Sequence, residues 1–225
     1  MPRRYSRRRN FRKKRSSRQS GWRSYNLGNV ADTASKGYSL AKWAVSMLNV
    51  EKKVKNFSFS DSVSTSGRVH ILNGCAQGDG IDTRDGNSLK AKSVAITGDI
   101  RWSGASTNAM LRMVLLYDNQ QVGDTAPSLA DIFGSATPSQ YAQLNPETLG
   151  RFSILADKRF VMTNINQQGA SRIFKITKKL NRHSRYNGAN STDIQKNGLY
   201  LISWSNEATN TPTLNYESFF RFVDN

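Results

Sequence analysis

From Val54 onward the chain reads in a period of two, and this constrains its fold more than any other feature. In SLKAKSVAITGDIRW, residues 88–102, Val94, Ile96, Ile100 and Trp102 share one parity, the side that a half-buried β-strand turns to a core. Lys92 continues that parity toward the start of the run. RFSILADKRFVMT, residues 151–163, alternates as well, with Phe152, Ile154, Ala156, Phe160 and Met162 on one side and Ser153, Asp157 and Arg159 on the other. MLRMVLLYD, residues 110–118, is apolar on both parities, as expected of a central strand covered on both faces. VKNFSFSDSV, RVHILN, SRIFKITKKL, GLYLISWS and LNYESFFRFVDN bring the count to eight runs, separated by clusters of Gly, Asn, Asp and Ser. Eight strands predict an all-β fold: a single antiparallel sandwich of two packed four-stranded sheets.

Size agrees with one such body. A chain of 225 residues with 37% hydrophobic residues buries one sizeable core, or at most two small ones. Cys75 is the only cysteine, so packing rather than an intrachain disulfide holds the fold. The start lacks the apolar run of a secretory signal, and no run of apolar residues is long enough to span a bilayer, so a cytosolic or nuclear chain is expected. Sequon matches at Asn56 and Asn190 are then chance. Residues 119–150 form the longest stretch between strands and contain PSLADIF, residues 127–133, which reads as a short Ser-capped helix. This stretch and residues 181–197 are expected to carry subunit contacts or outer surface.

Before the strands, GYSLAKWAVSMLNVEKK places Leu40, Trp43, Ala44, Met47 and Leu48 on one helix face. Ser39 is the expected N-cap, although the helix has room to begin as early as Asp32. It either packs under the body or stays free until a partner arrives. The organisation read from sequence is an Arg-rich disordered arm at 1–30, an amphipathic helix and linker at 31–50, and a β-body at 51–225.

Catalytic signals are weak. His70 and His183 are the only histidines; neither has metal-ligand spacing, and His70 falls in a strand pattern where a core or surface role is expected. There is no nucleophile elbow, Walker loop or dinucleotide fingerprint. GDGIDTRDGNS, residues 78–88, sets three aspartates among glycines, but its spacing fails the EF-hand pattern, and a turn-rich loop is the preferred reading over calcium ligation. No cofactor, no metal and no enzymatic activity are expected.

The strong functional signal is charge. Residues 1–25 hold eleven Arg or Lys and no acid, leaving 22 basic against 16 acidic residues elsewhere. Self-repulsion and the lack of apolar residues keep such a segment out of a core. No apolar face accompanies the charges, which disfavours membrane seeking. Closely spaced guanidinium groups neutralise phosphates, release counterions and bind without reading sequence. Tyr5, Phe11, Trp22 and Tyr25 lie among them, and rings so placed stack on unpaired bases, favouring a single-stranded partner.

The Arg-rich start, the short helix running into LNVEKK, and the runs GDGIDTRDGNSLKAKSVAITGDIRW, MLRMVLLYDNQQ and LGRFSILADKRFVM together resemble capsid proteins of circular Rep-encoding single-stranded DNA viruses. More narrowly, they resemble those whose shell protein is similar to that of satellite tobacco necrosis virus. The resemblance covers nearly the whole chain. It implies an eight-stranded jelly roll, roughly sixty copies of which close an icosahedral shell with the arms turned inward onto the genome. The packaging role then falls on Arg3, Arg4, Arg7, Arg8, Arg9, Arg12, Lys13, Lys14, Arg15, Arg18 and Arg23. Lys42, Lys52, Lys53 and Lys55 are second-tier candidates, because the segment after the arm faces the interior in related shells. The resemblance further implies a nuclear-import role for the arm, partnership with the host import machinery, and a single-stranded DNA genome, with RNA left open. Satellite-virus shells use calcium between subunits; no acidic cluster here maps onto those ligands. Two other readings stay open at the level of sequence: a non-viral nucleic-acid-binding protein with a β-domain and basic tail, and a β-sandwich enzyme.

Overall fold

The computed structural model describes residues 36–40, 51–103, 105, 108–163 and 171–224. Contacts divide the chain into Met1–Leu48 and Asn49–Asn225. In the first unit, residues 36–40 are helical, and the Ser39 hydroxyl donates to the Lys36 carbonyl at 2.8 Å. Ser39 thus lies inside the helix and bonds back to the preceding turn rather than capping its start. The remainder of the expected apolar face, Trp43, Ala44, Met47 and Leu48, is outside the described residues, as is the whole arm.

The second unit is built from nine strands: β1 (Lys52–Ser62), β2 (Arg68–Ile71), β3 (Ser88–Arg101), β4 (Asn108–Asp118), β5 (Phe152–Thr163), β6 (Ser171–Tyr186), β7 (Ile194–Lys196), β8 (Gly198–Ser205) and β9 (Thr213–Asp224). Two antiparallel sheets result, ordered β1-β9-β3-β6-β7 and β2-β8-β4-β5. The chain crosses between them at nearly every connection, and β9 returns to lie between β1 and β3. This is the jelly-roll form of the double-sheet sandwich. The eight expected strands are all present. The ninth, β7, is a three-residue addition to one edge, where Arg185 pairs Lys196 and Tyr186 pairs Ile194. It arises because β6 runs on to Tyr186, so much of 181–197, expected as loop, is strand.

Alternation explains the core. Val94, Ile96 and Ile100 of β3, Phe174 and Ile176 of β6, and Phe220 and Phe222 of β9 meet Leu111, Met113 and Leu115 of β4 and Leu199 and Leu201 of β8 between the sheets. Each such side chain stabilises the fold by roughly 1.5–3 kcal/mol. Gly98 is required where β3 passes β9: a Cβ there would lie 2.1 Å from the Asn215 carbonyl oxygen, a backbone approach that only glycine tolerates.

Two bulges correct the expected parities. Pairing of β3 shifts between Ala91 and Ser93, so Lys92 is the extra residue and is exposed. Leu89 and Ala91 consequently continue the core in its place. In β5, the partner of Leu115 is Ala156 but that of Leu116 is Ile154. Leu155 is inserted, leaving Ile154 41% exposed, and the strand changes face: Leu155, Ala156, Phe160 and Met162 pack toward the inter-sheet core, whereas Phe152 packs on the opposite side of its sheet. An unpaired residue in one strand reverses every parity beyond it.

The outer face of the four-stranded sheet is covered. Val114 and Leu116 of β4 and Tyr200, Ile202 and Trp204 of β8 pack beneath Leu129, Ile132 and Phe133 of α1 (Leu129–Phe133). The helix is capped as its sequence predicts: Ser128 Oγ accepts from Asp131 N at 3.1 Å, and the Asp131 carboxylate accepts from Ser128 N at 2.8 Å, a reciprocal capping box. Gly134 ends it with φ of 74°.

Candidate nucleic-acid interface

All eleven arm cations and Lys42 lie outside the described residues. Of the other second-tier candidates, Lys52 is exposed at the start of β1. Lys53 is not: its side chain is fully buried, 2.9 Å from Asp85, 3.4 Å from Asp224 and 3.6 Å from Glu51. Burial opposes its charged form, but the hydrogen bonds it donates to Asp85 and Asp224 outweigh it and hold the ammonium pKa above its ordinary value. Lys55 donates to Asp82 at 2.9 Å, and that bond holds the Asp82 carboxyl below the usual range. In the free subunit Lys53 is therefore committed to carboxylates, which removes it as a phosphate ligand there. Lys55 shares its charge with Asp82.

These same pairs explain the aspartate-rich loop. Asp82 and Asp85 turn to β1 lysines, and no group of three metal-ligating side chains occurs among the described residues. Arg84 organises the loop from within. Wholly buried, it donates from Nε to the Cys75 carbonyl at 3.0 Å, from Nη1 to the Gly86 carbonyl at 2.5 Å, and from Nη2 to the Gly188 carbonyl. Its guanidinium lies 4.1 Å from the centroid of the Tyr186 ring. Backbone carbonyls and a π-face, rather than an acid, satisfy this cation.

His70 sits among aromatic rings, with centroids 3.9 Å from Phe59, 5.7 Å from Phe57 and 5.9 Å from Tyr216. Burial lowers its pKa to about 4, and its Nε2 has no hydrogen-bond partner. It is a packed neutral imidazole. Burial raises the Cys75 thiol to about 12, far from the thiolate that nucleophilic chemistry requires.

The cations not singled out from the sequence stand on the outer face of the five-stranded sheet, which carries no covering element among the described residues. Register places them together: Lys90 faces His183, Ser93 faces both Lys179 and Arg221, Ser88 faces Arg185, and Arg185 faces Lys196. Lys92, bulged outward, joins them. Among the described residues, Lys90, Lys92, Lys179, Arg185, Lys196 and Arg221 have no carboxylate at ion-pair distance. Arg182, His183, Arg185, Lys196 and Asn197 line a notch of about 410 Å³ at the β6–β7 end. The alternation of Lys179 and Arg185 against Leu180, Ser184 and Tyr186 was the available sign of an outward basic edge.

The described residues thus form a jelly-roll body with positive charge gathered on the outer face of one sheet. The chain belongs to the satellite tobacco necrosis virus coat protein family, whose model matches residues 31–224. It is a viral capsid protein: a structural component of the virion that assembles with copies of itself, not an enzyme. Membership sets aside the non-viral and enzymatic readings. No curated protein sequence matches the chain. Among solved structures it is similar to Desmodium yellow mottle tymovirus, at 7% identity over 78% of this chain and 89% of that one, with a TM-score of 0.37. It is also similar to the 60-mer BFDV capsid protein, at 7% identity over 78% of this chain and 93% of that one, with a TM-score of 0.30. A third similarity is to the infectious bursal disease virus VP2 subviral particle, at 11% identity over 78% of this chain and 42% of that one, with a TM-score of 0.15.

Proposed function

We propose that the subunit closes a small T=1 icosahedral shell of roughly sixty copies around a single-stranded DNA genome, gripping it through the Arg-rich arm. The observation that carries this reading is the eleven cations and no acid in residues 1–25. Sixty such arms supply about 660 positive charges, on the scale of a genome of about a thousand nucleotides at one charge per phosphate. Arginine's fork suits phosphate oxygens, and the interleaved rings suit unpaired bases. Residues 31–50 form the link to the 51–225 shell domain, and Lys42 and Lys52 extend the grip. The same basic run serves as a nuclear localisation signal, engaging the host import machinery and placing assembly in the nucleus; the virus is of the circular Rep-encoding single-stranded DNA kind.

Deletion of residues 1–25 tests the packaging role. Particles purified from cells expressing the truncated chain should form and yet lose most of their nucleic acid. Normal packaging without the arm overturns the reading. Sequencing the contents of wild-type particles tests the genome: RNA in place of DNA overturns that part alone. A fluorescent protein fused to residues 1–25 should concentrate in nuclei, and an even distribution would remove the import role.

A further inference from the structure

We infer that the outer face of the five-stranded sheet is a second, folded nucleic-acid surface, on which a single strand runs from the β6–β7 notch across β3 toward β9. This rests on the proposed nucleic-acid role of the arm but involves none of its residues. Three observations converge on it. Arg185 and Lys196 are direct cross-strand partners, and like charges placed opposite each other repel. A polyanion seated between them converts that repulsion into binding. The cations also follow one another over the sheet: Lys179 and Arg185 lie on the outward side of β6, Lys90 of β3 pairs with His183 between them, and Arg221 of β9 faces the same Ser93 that Lys179 faces. Strands about 4.8 Å apart and alternate residues about 6.6 Å apart give such a set a short spacing, suited to a linear chain of phosphates.

The third observation is a ring. Phe219 is 38% exposed on the same face, directly opposite Ala95 and Asn56 and two residues from Arg221. A ring beside such cations stacks a base while its neighbours neutralise the backbone, which favours a single-stranded polynucleotide over a sulfated glycan. Confronted with these side chains, a strand meets charge and stacking but no set of groups that reads base edges. Binding here is accordingly sequence-independent and weakens as salt rises.

The test uses the full chain. In one variant all eleven arm cations are replaced by Gln; in a second, K179E, R185E and K196E are added to it; in a third, F219A is added to it alone. A thirty-nucleotide oligo(dT) is the probe, titrated at several salt concentrations, with heparin as comparison. The arm-neutral protein should keep salt-dependent oligo(dT) binding, and the charge reversals should weaken it at least tenfold. F219A should weaken oligo(dT) binding but leave heparin binding unchanged. Affinity within twofold after the reversals overturns the proposal, as does heparin binding with no oligo(dT) binding. An independent measurement needs no variant: oligo(dT) should protect Lys179 and Lys196 of the wild-type protein from acetylation, and equal modification with and without DNA overturns the proposal. If the arm-neutral protein binds as tightly as wild type, the arm reading fails and the sheet surface stands. If it binds nothing and neither lysine is protected, the reverse holds.

Discussion

The two sheets of this subunit have similar inner faces and opposite outer ones. Beneath α1, the four-stranded sheet is apolar on its outside as well, so β4 is buried along most of its length and β8 along all of it. The five-stranded sheet carries lysine and arginine outward instead and has no covering layer among the described residues. The difference teaches where each sheet spends its side chains. One face holds a long connection, residues 119–150, against the body; the other carries no such layer among the described residues.

Two ion pairs, each with one buried partner, lock that connection. Arg151 donates to Asp118 from Nε at 2.9 Å and from Nη2 at 2.6 Å, joining the end of β4 to the start of β5. Arg112 donates to Asp157 at 3.0 and 2.7 Å and to the carbonyls of Gln140 and Ala142 at 3.2 and 2.8 Å, with Trp204 and Phe133 alongside at 5.0 and 5.4 Å. Both guanidiniums act as ties between a loop and a sheet.

If one outer face is structural and the other carries no such layer, substitutions should separate them by stability. R151M should have the largest effect, about 3–5 kcal/mol in chemical denaturation, because it strands the fully buried Asp118 carboxylate. I132A should follow, at about 2–5 kcal/mol, from the cavity left under α1; a loss below about 1 kcal/mol would show that the layer is not a packed part of the fold. S128A should cost about 1 kcal/mol through the lost cap. Bonds from Ser128 hold the Asp131 carboxyl below its ordinary value, so the capping contribution is present above the unfolded carboxylate pKa and is lost as pH falls through the depressed one. S128A keeps the backbone N–H bond, the larger cause, and loses only the hydroxyl bond, so its acid sensitivity should fall only in part. On the outer face of the five-stranded sheet, K179S and K196S should change stability by less than about 0.5 kcal/mol, and a larger loss would break the contrast.

His70 supplies a pH test of the body itself. Its folded pKa of about 4 is below the unfolded value of 6.5, so the unfolded chain binds the extra proton between these values. Stability is full above about pH 6.5 and declines as pH falls toward about 4. H70F should flatten this part of the unfolding-midpoint profile.

Much of this was legible in the residues. The eight runs became strands, both parities of Met110 to Asp118 proved buried, and Ser128 capped its helix, because alternation and capping are local properties set within a few residues. The bulges at Lys92 and Leu155 were not legible, since an inserted residue is defined only against its partner strand. For the same reason Ile154 reads as core and is exposed. Lys53 and Lys55 read as free cations and proved to be partners of Asp85 and Asp82, some thirty residues along the chain. The basic edge was hidden because Lys90, Lys179, Arg185 and Lys196 come from separate runs.

The sequence by itself determined the strand content, the capped helix and the concentration of charge in the first 25 residues, which no fold is needed to assemble. Only the tertiary structure decided which lysines are buried with acids, which gather on the outer face of one sheet, and where parity reverses. Those outcomes depend on strand register and sheet order, and register is set by cross-strand packing between residues distant in the chain.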